Sequence, residues 1–147
     1  MTDVHIAQFQ NQLHRDNVMR VWRICFGYDT AHNEPALVID KKLAVDDGLF
    51  FVALRSAEVV GTVMAGYDGH RGWLYSVAVA PVCRGQGVGR LLVLHAEQAL
   101  TGLGCMKINL QMLQANAAVT GFYAGLGYLV EPRVSMGKLV PGNSSLG

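Results

Sequence analysis

The chain has 147 residues, of which 51% are apolar and 16% charged, and its formal net charge is +1. That length and composition predict one ordered domain over residues 1–140 and argue against disorder; the Gly/Ser-rich stretch 141–147 reads as a flexible tail. Near-zero charge with no basic block excludes a large nucleic-acid footprint, and no apolar run is long enough to span a bilayer.

The start, Met1 to Gln12, is polar and lacks the apolar middle of a secretory signal, which predicts a cytoplasmic location. Cys25, Cys83 and Cys105 are widely spaced, with no C-x-x-C pattern. His5, His14, His32, His70 and His95 show no ligand spacing. Neither a disulfide framework nor a metal site is expected.

In chain order, Val4 to Phe9 reads as a first strand. Asn11 to Phe26 carries Leu13, Val18, Val21, Trp22 and Cys25 near helical spacing. Gly27 to Asn33 is a loop, and Asn33 is the expected N-cap of a second helix with Pro35 in its first turn, ending near Val45. Asp46-Asp47-Gly48 stops it. Leu49 to Leu54 and Val59 to Tyr67 read as strands joined by a hairpin-length link, Arg55 to Glu58. "GYDGHRG", Gly66 to Gly72, is a turn. Trp73 to Ala80 is apolar at odd and even positions, as a central strand covered on both faces would be. Val88, Leu91, Leu92, Ala96, Ala99, Leu100 and Leu103 mark the clearest helix, ended by Gly104 as a left-handed cap. Lys107 to Met112 alternates like a half-buried strand. Asn116 to Leu126 reads as a short helix closed by Gly127, and Tyr128 to Val130 with Val134 to Val140 as a closing hairpin. The order predicts an α/β (α+β) fold with a mixed sheet.

The stretch "SVAVAPVCRGQGVGRLL", Ser76 to Leu92, sets a glycine-rich loop between a buried strand and a strong helix. Glycine costs about 1 kcal/mol against alanine inside a helix. The first amides of a helix lack intrahelical partners and carry the positive end of the macrodipole, so they suit a phosphate. Glycines let the backbone come close to such a ligand, and Arg84 and Arg90 add charge. The other reading is a tight strand-to-helix corner with no ligand. The Walker pattern fails for want of a lysine, and the dinucleotide fingerprint fails because its third glycine falls on Arg90.

The pattern that fits is R-x-x-G-x-G, at Arg84, Gly87 and Gly89. Here the chain resembles the GNAT family, the Gcn5-related N-acetyltransferases. "YSVAVAP" is similar to that family's fourth strand. "NLQMLQANAAVTGFYAGLGY" is similar to its fifth strand and following helix. "GTVMAGYDGHRG" resembles an uncharacterised bacterial subgroup. The resemblance implies a single acetyltransferase domain with a mixed, mostly antiparallel sheet flanked by helices, its fourth and fifth strands splayed. It implies acetyl-coenzyme A (acetyl-CoA) as cosubstrate and direct acetyl transfer to a primary amine, on a small molecule or a protein. It also allows a homodimer.

The same resemblance implies roles for individual residues. The pyrophosphate would lie on Arg84, Gly85, Gln86, Gly87, Val88 and Gly89. The pantetheine arm would pair with Val77, Ala78 and Val79 as an added strand does, and one amide there would polarise the acetyl carbonyl. Asn116 would hold the coenzyme near its pantetheine part; read alone, it is an N-cap. Tyr123 would protonate the leaving thiolate; read alone, Phe122 and Tyr123 are core aromatics. The glutamate that some members use as base is Gln111 here, which leaves Asp68, His70, Tyr75 or a water relay. Trp22, Phe26, Tyr28 and Glu34 are candidates for lining the acceptor pocket and equally for core or surface positions. The rival readings are a non-catalytic acyl-CoA sensor or regulatory module, and a phosphate-binding protein of another fold.

Overall fold

The structure is a computed structural model and describes residues 3–27, 33–112 and 119–141. It comprises two compact units, Met1–Leu110 and Gln111–Gly147. The first contains β1 (Val4–Gln8), α1 (Asn11–Phe26), α2 (Pro35–Val45), β2 (Phe50–Arg55), β3 (Glu58–Tyr67), β4 (Gly72–Val79), a 3-10 turn at Pro81–Cys83, α3 (Val88–Gly102) and β5 (Ile108–Leu110). The second contains α4 (Thr120–Ala124).

The sheet order is β1-β2-β3-β4-β5. The first four strands form an antiparallel meander, and α3 carries the chain across to β5, which lies parallel to β4. A parallel return needs such a crossover, whereas antiparallel neighbours need only a turn. The β2–β3 turn has two central residues, Ser56 and Ala57, both left-handed (φ 50° and 70°). That twist suits a two-residue hairpin, although neither residue is glycine.

The sheet is apolar on both faces because both are covered. On one face, Val18, Val21 and Trp22 of α1 and Ile39 of α2 pack with Phe9, Phe50, Val52, Leu54 and Met64. Phe50 stacks between Phe9 (centroids 4.2 Å apart) and Trp22 (5.8 Å). On the other face, α3 buries Leu92, Val93, Ala96 and Leu100, and its His95 meets Phe51 edge-on at 4.6 Å. Glycines on the sheet let α3 come close. A Cβ at Gly61 would lie 2.9 Å from Leu92 Cδ1, and one at Gly72 would lie 2.8 Å from Cys105 Sγ.

The helix ends follow local chemistry. Phe9 and His14 meet at 6.0 Å across the start of α1, at the positions of a hydrophobic staple, and His14 Nδ1 accepts the Gln10 amide at 2.9 Å. The N-cap of α2 is Glu34 rather than Asn33: its Oε1 accepts the Leu37 amide at 3.1 Å. A carboxylate three residues ahead reaches that amide with Pro35 still at the first helical position. Gly104 is left-handed (φ 94°), as expected. Its amide bonds Thr101 O and the Cys105 amide bonds Leu100 O, a complete Schellman motif.

In the second unit, Gly127 (φ 96°) closes α4 with the same pair of bonds, to Ala124 O and Tyr123 O. The expected closing hairpin is not formed: Tyr128–Val130 and Val134–Val140 have no strand structure. Pro132 lacks a ladder donor, and the Arg133 amide turns back onto Glu131 O at 2.9 Å. The alternation of Val134 and Met136 therefore stays exposed.

Candidate functional site

β4 has two unlike halves. From Gly72 to Leu74 it pairs on both sides, with β3 and with Ile108–Leu110 of β5. From Tyr75 to Val79 it pairs with β3 alone among the described residues. The change coincides with a bulge. Thr62 faces Ala78 and Met64 faces Tyr75, so Val63 stands opposite both Ser76 and Val77. A bulge bends its strand and raises the local twist, and here only Tyr75 separates it from Leu74, the last β4 residue paired with β5.

Ser76 takes up the bulge in a left-handed conformation (φ 52°). A buried relay holds it there. The Trp22 indole N–H donates to Thr62 Oγ1 at 2.9 Å, and the Thr62 hydroxyl donates to the Ser76 carbonyl at 2.8 Å. Thr62 is fully buried, so losing either partner would strand a polar group, a cost of about 1–3 kcal/mol. Trp22 is thus a core residue that holds the bulge.

Past the bulge, Ala78 is buried while Val77 and Val79 are half-buried. The Val79 carbonyl is engaged within the protein: it accepts Arg84 Nε at 3.0 Å and the Cys25 thiol at 3.4 Å. Arg84 Nη2 also reaches Cys25 Sγ at 3.5 Å. The turn Pro81–Cys83 then delivers the chain to Gly85 and Gly87, both left-handed (φ 78° and 84°). A Cβ at either would meet nothing within 4 Å, so these glycines are required by conformation and not by crowding. Gly87 is the N-cap of α3, with no side-chain cap. Among the described residues, the amides of Gly85, Gly87, Val88 and Gly89 donate to no acceptor. Arg55 braces the loop from β2, donating to Gln86 Oε1 at 2.6 Å and to buried Cys83 Sγ at 3.4 Å.

Next to the bulge on the α1/α2 face lies a buried polar cluster. Lys42 Nζ donates to Asp47 Oδ2 at 2.9 Å, to the Ala65 carbonyl, and to Tyr75 Oη at 3.1 Å. Asp47 Oδ1 accepts the Leu49 amide. A lone lysine in a helix carries no motif that marks it as buried. The available signal is that it continues the buried helical stripe Pro35, Ile39, Lys42, where a charge must have partners.

Asp68, a candidate base, accepts the Arg71 amide at 2.7 Å and the His70 amide at 2.8 Å. Those bonds hold its carboxyl below the usual carboxylate range, Arg71 contributing most. It is a turn builder, and the shift works against a base. Glu34 is spent capping α2, Phe26 is exposed, and Tyr28 lies outside the described residues.

Within the second unit, Tyr123 is buried and lies edge-on to Phe122 (4.9 Å) and Tyr128 (5.8 Å). Burial raises its phenol above the ordinary value and keeps it protonated. Gln111 Nε2 donates to Ser135 Oγ at 2.7 Å. Asn116 lies outside the described residues. Among the described residues, no three His, Cys, Asp or Glu side chains gather as a metal site, and no helix is long and apolar enough to cross a membrane.

Comparison with known proteins agrees with this layout. An acetyltransferase of Pectobacterium atrosepticum is 42% identical over 106 residues, covering 72% of this chain and 75% of that protein. The PaiA N-acetyltransferase of Thermoplasma acidophilum, solved in complex with coenzyme A, superposes with a TM-score of 0.76 at 15% identity, over 90% of this chain and 94% of that one. The aminoglycoside N-acetyltransferase AAC(6')-Iy, solved with a bisubstrate analogue, gives 0.75 at 17% identity, over 95% and 99%. At such identities these two structures establish likeness of fold. The sequence profile of the acetyltransferase (GNAT) family matches residues 15–128, which takes in the bulged strand, the glycine loop and α4 together, and the chain belongs to that family.

Proposed function

We propose that the protein is an N-acetyltransferase that moves the acetyl group of acetyl-CoA directly to a primary amine, on a small molecule or a protein. The observation that carries this reading is the set of unbonded amides at Gly85, Gly87, Val88 and Gly89, at the positive end of α3. In this reading they take the coenzyme's pyrophosphate, with Gln86 and Arg84 beside them. The guanidinium of Arg84, directed to Val79 O, keeps further N–H groups for the phosphate.

The edge of β4 beyond Leu74 supports the rest of the assignment. The open edge of the backbone along Val77 to Val79, with Ala78 between them facing β3, takes the pantetheine amides, and an amide at the bulge polarises the acetyl carbonyl. Val79 contributes its amide side, since its carbonyl is already engaged. Tyr123, kept protonated by burial, returns a proton to the thiolate. Asn116 holds the coenzyme near the pantetheine. Residues 1–140 act as one acetyltransferase domain, a reading supported by a family match that runs through both compact units. The protein works in the cytoplasm, alone or as a homodimer.

A second reading, a non-catalytic acyl-CoA sensor, draws on position 111. The side chain there is an amide, and it donates to Ser135. A thiol-release screen of acetyl-CoA against a panel of primary amines separates the two, run with calorimetry of coenzyme A binding. Binding with release, reduced at least tenfold in Tyr123→Phe, is the expected result. Binding without release for any amine favours the sensor, and no binding removes both readings.

A further inference from the structure

A buried ammonium is costly unless every one of its donors is met. The Lys42 side chain is 5% exposed. Its three N–H groups are divided among Asp47, Ala65 O and Tyr75 Oη. Two of these partners tie the end of α2 to the sheet. The third is a tyrosine with 39% of its surface exposed.

An ammonium can only donate, so Tyr75 Oη must accept from Lys42. The hydroxyl hydrogen therefore points away from Lys42, and it has no acceptor within the protein among the described residues. One lone pair of Oη is also left over. Gly66 makes room for the group: a Cβ there would stand 3.4 Å from Oη. In sequence Tyr75 is one residue beyond the last β4–β5 pair, adjoins the bulge at Ser76 and precedes Val77 by two. The charged groups facing it are Lys42 from α2 and, behind Lys42, Asp47 from the following turn.

We propose that Tyr75 takes the proton from the attacking amine, with Lys42 as its positioning residue. The inference rests on the acetyl-transfer reading above. The acceptor ammonium gives one N–H proton to the spare lone pair of Oη while Tyr75 passes its own hydrogen to a solvent water. The freed nitrogen pair forms the N–C bond to the acetyl carbon. The C–S bond breaks with its electrons remaining on sulfur, the nitrogen, positively charged after the attack, gives up a second N–H proton, and the thiolate takes up one proton to become free thiol, so one proton in all is released to solvent. The positive charge of Lys42 offsets the negative charge that gathers on Oη during the hand-over. This supplies a proton acceptor in a chain whose position 111 is glutamine.

The test is Tyr75→Phe, which keeps the ring and removes the hydroxyl. Thiol release with the best amine of the panel is followed from pH 6.5 to 9.5. The expected result at pH 7 is a kcat about 100-fold below wild type, with coenzyme A affinity unchanged and a melting temperature lowered because one Lys42 donor loses its acceptor. The deficit should shrink as the pH nears the amine's own pKa, about 10, because a free amine needs no base. Lys42→Met should show the same pH-dependent deficit; if it does not fold, Tyr75→Phe decides alone. An unchanged kcat in Tyr75→Phe, or a deficit constant with pH, overturns the inference and leaves acetyl transfer standing. A wild type that binds coenzyme A but acetylates no amine overturns both.

Discussion

The two ends of α3 begin and finish on left-handed glycines, yet they treat their backbone groups in opposite ways. At the C-terminus, Gly104 and Cys105 return their amides to Thr101 and Leu100. At the N-terminus, Gly87 caps the helix without a side chain, and Val88 and Gly89 donate to no acceptor among the described residues. Both ends also rest on a sheet glycine, Gly61 near Val88 and Leu92, and Gly72 near Leu100 and Cys105. The same residue type closes a helix at one end and leaves it open at the other. What distinguishes them is whether the protein itself supplies the partner.

The largest effects should come from the sheet glycines. A Cβ at Gly61 would lie 2.9 Å from the Ala78 carbonyl, a backbone atom that cannot step aside. Gly61→Val should cost about 3 kcal/mol in urea unfolding and should also weaken coenzyme A binding, since it displaces the open end of α3. At Gly72 the nearest atoms belong to the side chains of Cys105 and Leu100, which can shift. Gly72→Val should cost less, about 1–2 kcal/mol, and leave binding intact. Equal binding in both variants would break the asymmetry.

Next are the turn glycines. Gly87→Ala places a side chain at φ 84°, a strain of about 1–2 kcal/mol, and should raise the coenzyme A Kd at least tenfold by calorimetry. Gly104→Ala, at φ 94°, carries a similar strain of about 1 kcal/mol and should not alter the Kd. If Gly104→Ala loosened the coenzyme as much as Gly87→Ala does, α3 would be responding as a whole.

The smallest effect is a pH control remote from α3. Desolvation depresses the His14 pKa in the folded state, and Nδ1 is occupied by the Gln10 amide. The unfolded histidine, with a pKa of about 6.5, therefore binds a proton more readily than the folded one. Stability should be full above that value and decline as pH falls through and below it. Urea midpoints at pH 7.5 and pH 5 should differ more for wild type than for His14→Asn. At the other extreme, burial raises the Tyr123 pKa, so the folded state holds that proton longer and stability should fall above about pH 10.

Much of the order of elements was legible in the sequence because periodicity and capping are local. Trp73 to Ala80 falls largely on a strand as its composition predicts, although only Leu74 and Ala78 of it are buried, and the α3 stripe ends at Gly104 as its spacing predicts. The bulge was not legible. Ser76 carries no mark of a left-handed residue; its conformation depends on Thr62 and Trp22, 14 residues and more away. Lys42 was passed over because a lysine on a helix is usually solvated, and its three partners come from three separate segments. The hairpin at 128–140 failed for the converse reason. The alternation is real, but a strand also needs a partnering edge, which periodicity does not report. At the candidate site, the loop glycines were readable by type. The tethering of Arg84 to Val79 and Cys25 was not.

The relay from Trp22 through Thr62 to Ser76 has a practical consequence. An indole whose only polar atom grips the threonine that clamps the bulge will change its emission when that clamp loosens. Replacing Trp73, the other tryptophan of the chain, would leave a protein that reports on its own strand edge optically, without a label.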